Sequence, residues 1–116
     1  MPLKYSAWYP LTPDAIDANA PALSGVYEVR VYGPLLVYTK GRSAMVLYGA
    51  TDKKTPTLRA VLRGLGDTGL PDKARSAIGN HPVYFRTAFT KEPKADLQRR
   101  LEDFEMRFGG YPVGNH

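Results

Sequence analysis

The sequence predicts an α+β domain, a small antiparallel sheet of three to four strands flanked by helices. Three observations carry that expectation. Runs of β-prone residues are separated by short Gly- and Pro-marked turns. Two other segments space their apolar residues at helical intervals. The 116 residues are 43% hydrophobic and 23% charged, enough to bury one modest core. With no repeat, linker or low-complexity stretch, residues 1–116 read as a single domain.

The elements follow in order. Thr12 suits a helix N-cap, Pro13 the first helical position and Asp14 the positive end of the helix dipole, so a short helix is expected from 13 to about 19, ended by Pro21. Residues 26–32 are a strand, with Glu28 and Arg30 sharing one side. Gly33-Pro34 turns the chain into a second strand, 35–39. Residues 40–43 turn it again into a third, 44–48, so the three are expected to form an antiparallel meander. Past a polar loop at 52–57, Leu58, Val61, Leu62 and Leu65 mark one face of a helix, and Arg59 and Arg63 share another face. Gly64 and Gly66 mark its end. A turn at 67–70, a short helix at 71–78 and a strand at 83–89 come next. Thr90 is expected to cap a last helix built on Leu97, Leu101, Phe104 and Phe108. Gly109-Gly110 ends it, leaving a tail at 111–116.

Composition excludes several chemistries. The chain has no cysteine, so disulfides, thiolate metal sites and a cysteine nucleophile are ruled out. His81 and His116 are its two histidines, which makes a zinc site an unattractive reading, and His81 before Pro82 is most simply a turn residue. The N-terminal residues lack the apolar run of a signal peptide. Nothing approaches the roughly 18 apolar residues of a membrane span, so a cytoplasmic, reduced setting is expected. Phosphate-binding Gly-rich loops and nucleophile elbows are missing from the sequence.

The net charge is +5. Residues 26–63 hold seven basic side chains (Arg30, Lys40, Arg42, Lys53, Lys54, Arg59, Arg63) against Glu28 and Asp52, whereas the rest of the chain holds nine of each sign. The positive excess therefore sits in one third of the sequence, and such a field attracts polyanions. The bland alternative is that scattered lysines and arginines keep a small protein soluble.

Four pieces then fall in a recognisable order. Gly25-Val26-Tyr27 opens a strand after a short helix. Leu47-Tyr48-Gly49-Ala50-Thr51 ends another strand before a helix bearing Arg59 and Arg63. A strand and an acid-bearing helix follow, and Pro112-Val113-Gly114-Asn115 closes the chain. Over about residues 22–115 this resembles the GIY-YIG nuclease superfamily. The resemblance implies a GIY-YIG-like fold and a metal-dependent endonuclease that hydrolyses DNA phosphodiester bonds. It assigns Tyr27 to the attacking water and Tyr48 to its support. Arg59 or Arg63 would neutralise the scissile phosphate, and Glu102 would bind one Mg²⁺ (or Mn²⁺), with Glu105 its rival. Asn115 would help hold the site together. Lys53, Lys54 and Arg42 would attract the DNA backbone. Such chemistry needs positive charge, a metal and a positioned water at an anionic ester.

The motif departs from the family pattern. The position two before Gly49 is Leu47, and strand alternation puts Leu47, not Tyr48, on the side of Gly49. Either the strand is bulged there or the second tyrosine is missing from the site. Each residue also has a plain structural account: Tyr27 and Tyr48 as strand aromatics, Arg59 and Arg63 as a solvated helix face, Glu102 and Glu105 as ion-pair partners of Arg99, Arg100 and Arg107. Two further readings follow. One is the same fold with a degenerate site, binding nucleic acid or a protein partner without turnover. The other is an α+β interaction domain unrelated to nucleases. A separate DNA-recognition module does not fit in the chain, so an active enzyme would read structure, form a homo-oligomer or belong to a larger assembly.

Overall fold

The structure is a computed structural model and describes residues 3–33, 35–52 and 56–115. Its elements are β1 (Tyr9–Pro10), α1 (Pro13–Asn19), β2 (Gly25–Val31), β3 (Leu36–Tyr38), β4 (Gly41–Ser43), β5 (Met45–Thr51), α2 (Leu58–Gly64), a π-helical turn (Leu65–Gly69), α3 (Asp72–Ile78), β6 (Val83–Ala88), α4 (Pro93–Phe108) and a final 3₁₀ turn (Val113–Asn115). Among the described residues the fold is thus α+β. It has four α-helices, an antiparallel sheet in the order β1-β6-β2-β5 and a separate hairpin of β3 with β4.

The expected meander is corrected by this topology. Strand β2 pairs with β5 on one edge and with β6 on the other, while β3 pairs with β4. Residues 41–43, read as a turn, are the second strand of that hairpin. The register shifts between Val29 and Arg30, where Val46 is the extra residue on β5, at the end where the hairpin leaves the sheet. Strand β5 also runs on to Thr51 rather than ending near Tyr48.

Local chemistry explains the helix ends. The Thr12 hydroxyl accepts from the Ala15 N–H at 3.3 Å with Pro13 next in line, as the sequence predicts. Thr57 caps α2 in the same way, accepting from Ala60 N–H at 3.2 Å. Gly64 is the last residue of α2, but the chain continues into the π turn instead of stopping. Helix α4 starts later than expected: Glu92 is its N-cap and Pro93 its first residue. The Thr90 hydroxyl instead binds the Asp96 carboxylate and accepts from Glu92 N–H at 3.1 Å. At the other end Gly109 takes a left-handed conformation, φ 82°, where its missing Cβ also avoids Thr39.

The sheet has two unlike faces. On one, Tyr27, Val29, Val31, Leu47 and Phe85 join Ile16 of α1, Leu58 and Leu62 of α2, and Ala74 and Ile78 of α3 in the apolar core. Each fully buried aliphatic or aromatic side chain contributes about 1.5–3 kcal/mol. The other face carries Glu28 and Tyr48, paired across β2 and β5, and receives α4. Phe104 and Phe108 of α4 pack on Tyr38, and Phe104 also meets Tyr48 edge-on, with ring centroids 5.0–6.0 Å apart. Among the described residues no helix is long and apolar enough to cross a membrane.

Candidate functional site

Tyr27 lies at the middle of the central strand, opposite Gly49 on β5 and Thr87 on β6. Its ring crosses Gly49 so closely that a Cβ there would fall 2.1 Å from the Tyr27 Cζ. The glycine of the second motif therefore has a packing reason: it makes room for the tyrosine of the first. Tyr27 is only 8% exposed, and burial raises its phenol pKa above 10.0. Both facts work against a phenolate that would take a proton from water.

The two arginines of α2 lie over the same face of the sheet as Tyr27 but are engaged with α1. Arg59 Nε donates to the carbonyl of Ala20, the C-cap of α1, at 2.9 Å. Arg63 Nη1 binds the Asp17 carboxylate at 2.8 Å with both side chains about half exposed. Such an exposed pair contributes little, about 0–1 kcal/mol.

Tyr48 lies on the opposite face. It is aligned with Glu28 rather than with Tyr27, and no bulge turns it inward, because the register irregularity is at Val29/Arg30. Its phenol pKa is pushed up to about 12, chiefly by burial. Glu102 is exposed on α4, where its carboxylate accepts from Gln98 Nε2 at 3.0 Å, and Glu105 is exposed as well. A divalent ion held by Glu102 would stand on the α4 side, with the sheet between it and the Tyr27 hydroxyl. Among the described residues no three His, Asp or Glu side chains gather into a metal-binding group. The residues present do not assemble the expected Mg²⁺ centre around Tyr27.

Asn115 is a clamp. Its Oδ1 accepts from Tyr48 N–H at 2.9 Å and its Nδ2 donates to Tyr48 C=O at 2.8 Å. The side chain thus pairs with the free edge of β5 as another strand's backbone would. Gly114 permits the approach, since a Cβ there would lie 2.9 Å from the Val46 carbonyl oxygen. Lys53 and Lys54 lie outside the described residues. Arg42 is exposed on β4, and no carboxylate pairs with it among the described residues.

No protein-family model, curated protein or solved structure matches this chain.

The polar group at the centre of the α4 side is Glu28, which shares its side of β2 with Arg30. It is 1% exposed. Arg86 Nε and Nη2 reach its Oε1 at 2.9 and 2.8 Å, and Arg100 Nη2 reaches Oε2 at 2.7 Å. Two guanidinium groups on one buried carboxylate satisfy it and leave a local positive excess. Burial works against the charge of Arg100, but Glu28, with the nearby Tyr48 and Tyr5, more than offsets it and holds its pKa above the usual value. Aromatic rings interleave with these cations. The Arg86 guanidinium carbon is 4.1 Å from the Tyr5 ring centre and 4.6 Å from Trp8, Arg30 is 4.1 Å from Trp8, and Arg100 is 5.1 Å from Tyr48. The N-terminal segment is thereby fastened to the sheet, each contact contributing about 0.5–2 kcal/mol. Glu28 and Arg30 on one side of a mostly apolar strand are the sequence signal for this cluster.

Proposed function

We propose that this chain is a nucleic-acid-binding module of GIY-YIG-like design that does not turn over its ligand. The observation that carries the reading is the division of the motif residues by the sheet. Tyr27, Arg59 and Arg63 belong to one face, whereas Tyr48 and Glu102 belong to the other. In-line hydrolysis needs its nucleophile, phosphate clamp and metal within one small volume. Nucleic-acid phosphate is the favoured ligand because the chain carries a net charge of +5, and Arg30 and Arg42 have no carboxylate partner among the described residues. The rival proposal is the Mg²⁺- or Mn²⁺-dependent DNA endonuclease implied by the motif order, with Tyr27, an arginine of α2 and Glu102 in the roles given above.

Incubating the protein with Mg²⁺ or Mn²⁺ and plasmid, linear and branched DNA separates the two. The expected outcome is intact DNA throughout, together with binding that weakens steeply as salt is raised. Cleavage that disappears in Glu102→Ala would overturn the reading.

A further inference from the structure

The α4 side of the sheet is not covered along its whole width. Helix α4 packs on β5 and the adjoining part of β2, and beyond it the face continues over Trp8, Arg30, Tyr32, Tyr84 and Arg86. Tyr84 stands directly opposite Arg30 in the β2–β6 register, so the two side chains emerge side by side. Tyr32 is the next residue of that face beyond Arg30. Its ring centre lies 5.7 Å from that of Tyr84, and it is 62% exposed. The guanidinium carbons of Arg30 and Arg86 lie over the Trp8 ring, 4.1 and 4.6 Å from its centre.

The charge of this area is not balanced. Arg86 is engaged with Glu28, whose carboxylate is buried beneath the surface and faces away from solvent. Arg30 has Trp8 as its neighbour and no carboxylate partner among the described residues. Its guanidinium lies over the indole ring, which orders the group while leaving N–H donors for an anion. A guanidinium held over an indole, beside the exposed Tyr32 ring and the half-buried Tyr84 ring that adjoins it, matches a ligand that alternates anionic groups with flat apolar rings.

We infer that Trp8, Arg30, Tyr32 and Tyr84 form a platform for a single strand of nucleic acid, with bases stacking on Tyr32 and Tyr84 and a phosphate resting on Arg30. This deepens the binding role proposed above and rests on it. The preference for a single strand follows from the rings. In a duplex the base faces are already stacked on one another, so exposed tyrosines gain nothing from them, whereas unpaired bases offer a free face to each ring. Stacking is sequence-tolerant, so the platform takes a single strand of any composition.

The chain has a single tryptophan, Trp8, and it sits inside the platform, which supplies a local reporter. A fluorescein-labelled single strand of about a dozen nucleotides is titrated at low salt and followed by anisotropy. The unlabelled strand is followed by Trp8 emission, and the matched duplex is measured in parallel. The single strand is expected to bind more tightly than the duplex, with a saturable change in Trp8 emission over the same range. Tyr32→Ala is expected to weaken binding about tenfold and Arg30→Gln to weaken it and flatten its salt dependence. Tyr32→Phe is expected to retain affinity. Tyr32 is exposed, so the first and last substitutions leave the core alone. Unchanged affinity in Tyr32→Ala and Arg30→Gln, with binding lost instead when Arg42, Lys53 and Lys54 are all changed to alanine, would overturn the platform and leave the binding role standing. Equal or tighter binding of the duplex, or binding with no change in Trp8 emission, would also overturn the platform. Failure of the unaltered protein to bind either form would remove both proposals.

Discussion

The two faces of the central strand solve the same burial problem in opposite ways. Toward α1 and α2, residues 27, 29 and 31 are a tyrosine and two valines that disappear into an aliphatic core. Toward α4, residue 28 is a carboxylate as inaccessible as those valines, held by two arginines and roofed by Tyr5 and Trp8. The first face is stabilised by area removed from water and tolerates modest changes of shape. The second depends on every charge having its partner, since a buried ion that loses one is left uncompensated. Tyr27 and the buried ionic chemistry of Glu28 therefore lie on different sides of one strand.

The largest expected effect tests the ionic face. Glu28→Gln removes the charge that two guanidinium groups share and should cost about 3–5 kcal/mol, a large part of the net stability of a small domain. Urea unfolding followed by circular dichroism measures it. Replacing Glu28, Arg86 and Arg100 together by leucine should recover most of that loss, because a well-packed apolar set has no ion to desolvate. A Glu28→Gln protein as stable as its parent would mean that the cluster is ornamental and the two faces are alike.

An intermediate effect is expected at the sheet edge. Asn115→Ala leaves the N–H and C=O of Tyr48 without their partner, at a cost of about 1–3 kcal/mol, read as a lower urea midpoint and as faster hydrogen exchange at the Tyr48 amide. Asn115 holds Tyr48 through its backbone, so the same substitution should leave platform binding by Tyr32 and Arg30 unchanged. Loss of binding without loss of stability would place Asn115 in a ligand site instead.

Much of the fold was legible because its signals are local. Thr12 followed by Pro13 sets a helix start, the β-prone run at 26–32 is the central strand, and the four apolar residues of α4 give its buried side. What was misread depends on distant partners. Turn chemistry alone joins β2 to β3, but β2 takes its neighbours from β5 and β6, and β6 lies more than fifty residues downstream. Glu28 reads only as sharing one side of a strand with Arg30, because its partners Arg86 and Arg100 stand 58 and 72 residues away. Alternation along β5 did place Tyr48 away from Gly49, yet it could not say which helix lay on which side. The acids of α4 illustrate the same limit: periodicity located the helix, and only packing shows Glu102 exposed and engaged with Gln98.

The smallest effect concerns the Tyr27 hydroxyl. It makes no hydrogen bond to the described residues, and the ring across Gly49 supplies the packing. Tyr27→Phe should therefore change stability at neutral pH by less than about 0.5 kcal/mol. The two forms should part company at high pH. Burial raises the Tyr27 phenol above its ordinary 10.0, so the folded state favours the protonated form. That contribution is fully present below pH 10 and is lost as the pH rises through the folded-state value. Tyr48, at about 12, behaves in the same sense on the other face. Between pH 10 and 12 the native protein should lose stability, and Tyr27→Phe should lose less of it, because one of the phenols that must ionise is gone. Urea midpoints collected across that range check the difference. A phenylalanine variant that tracks its parent through the alkaline limb would mean that Tyr27 ionises freely while folded, which would reopen the case for that hydroxyl as a working acid or base.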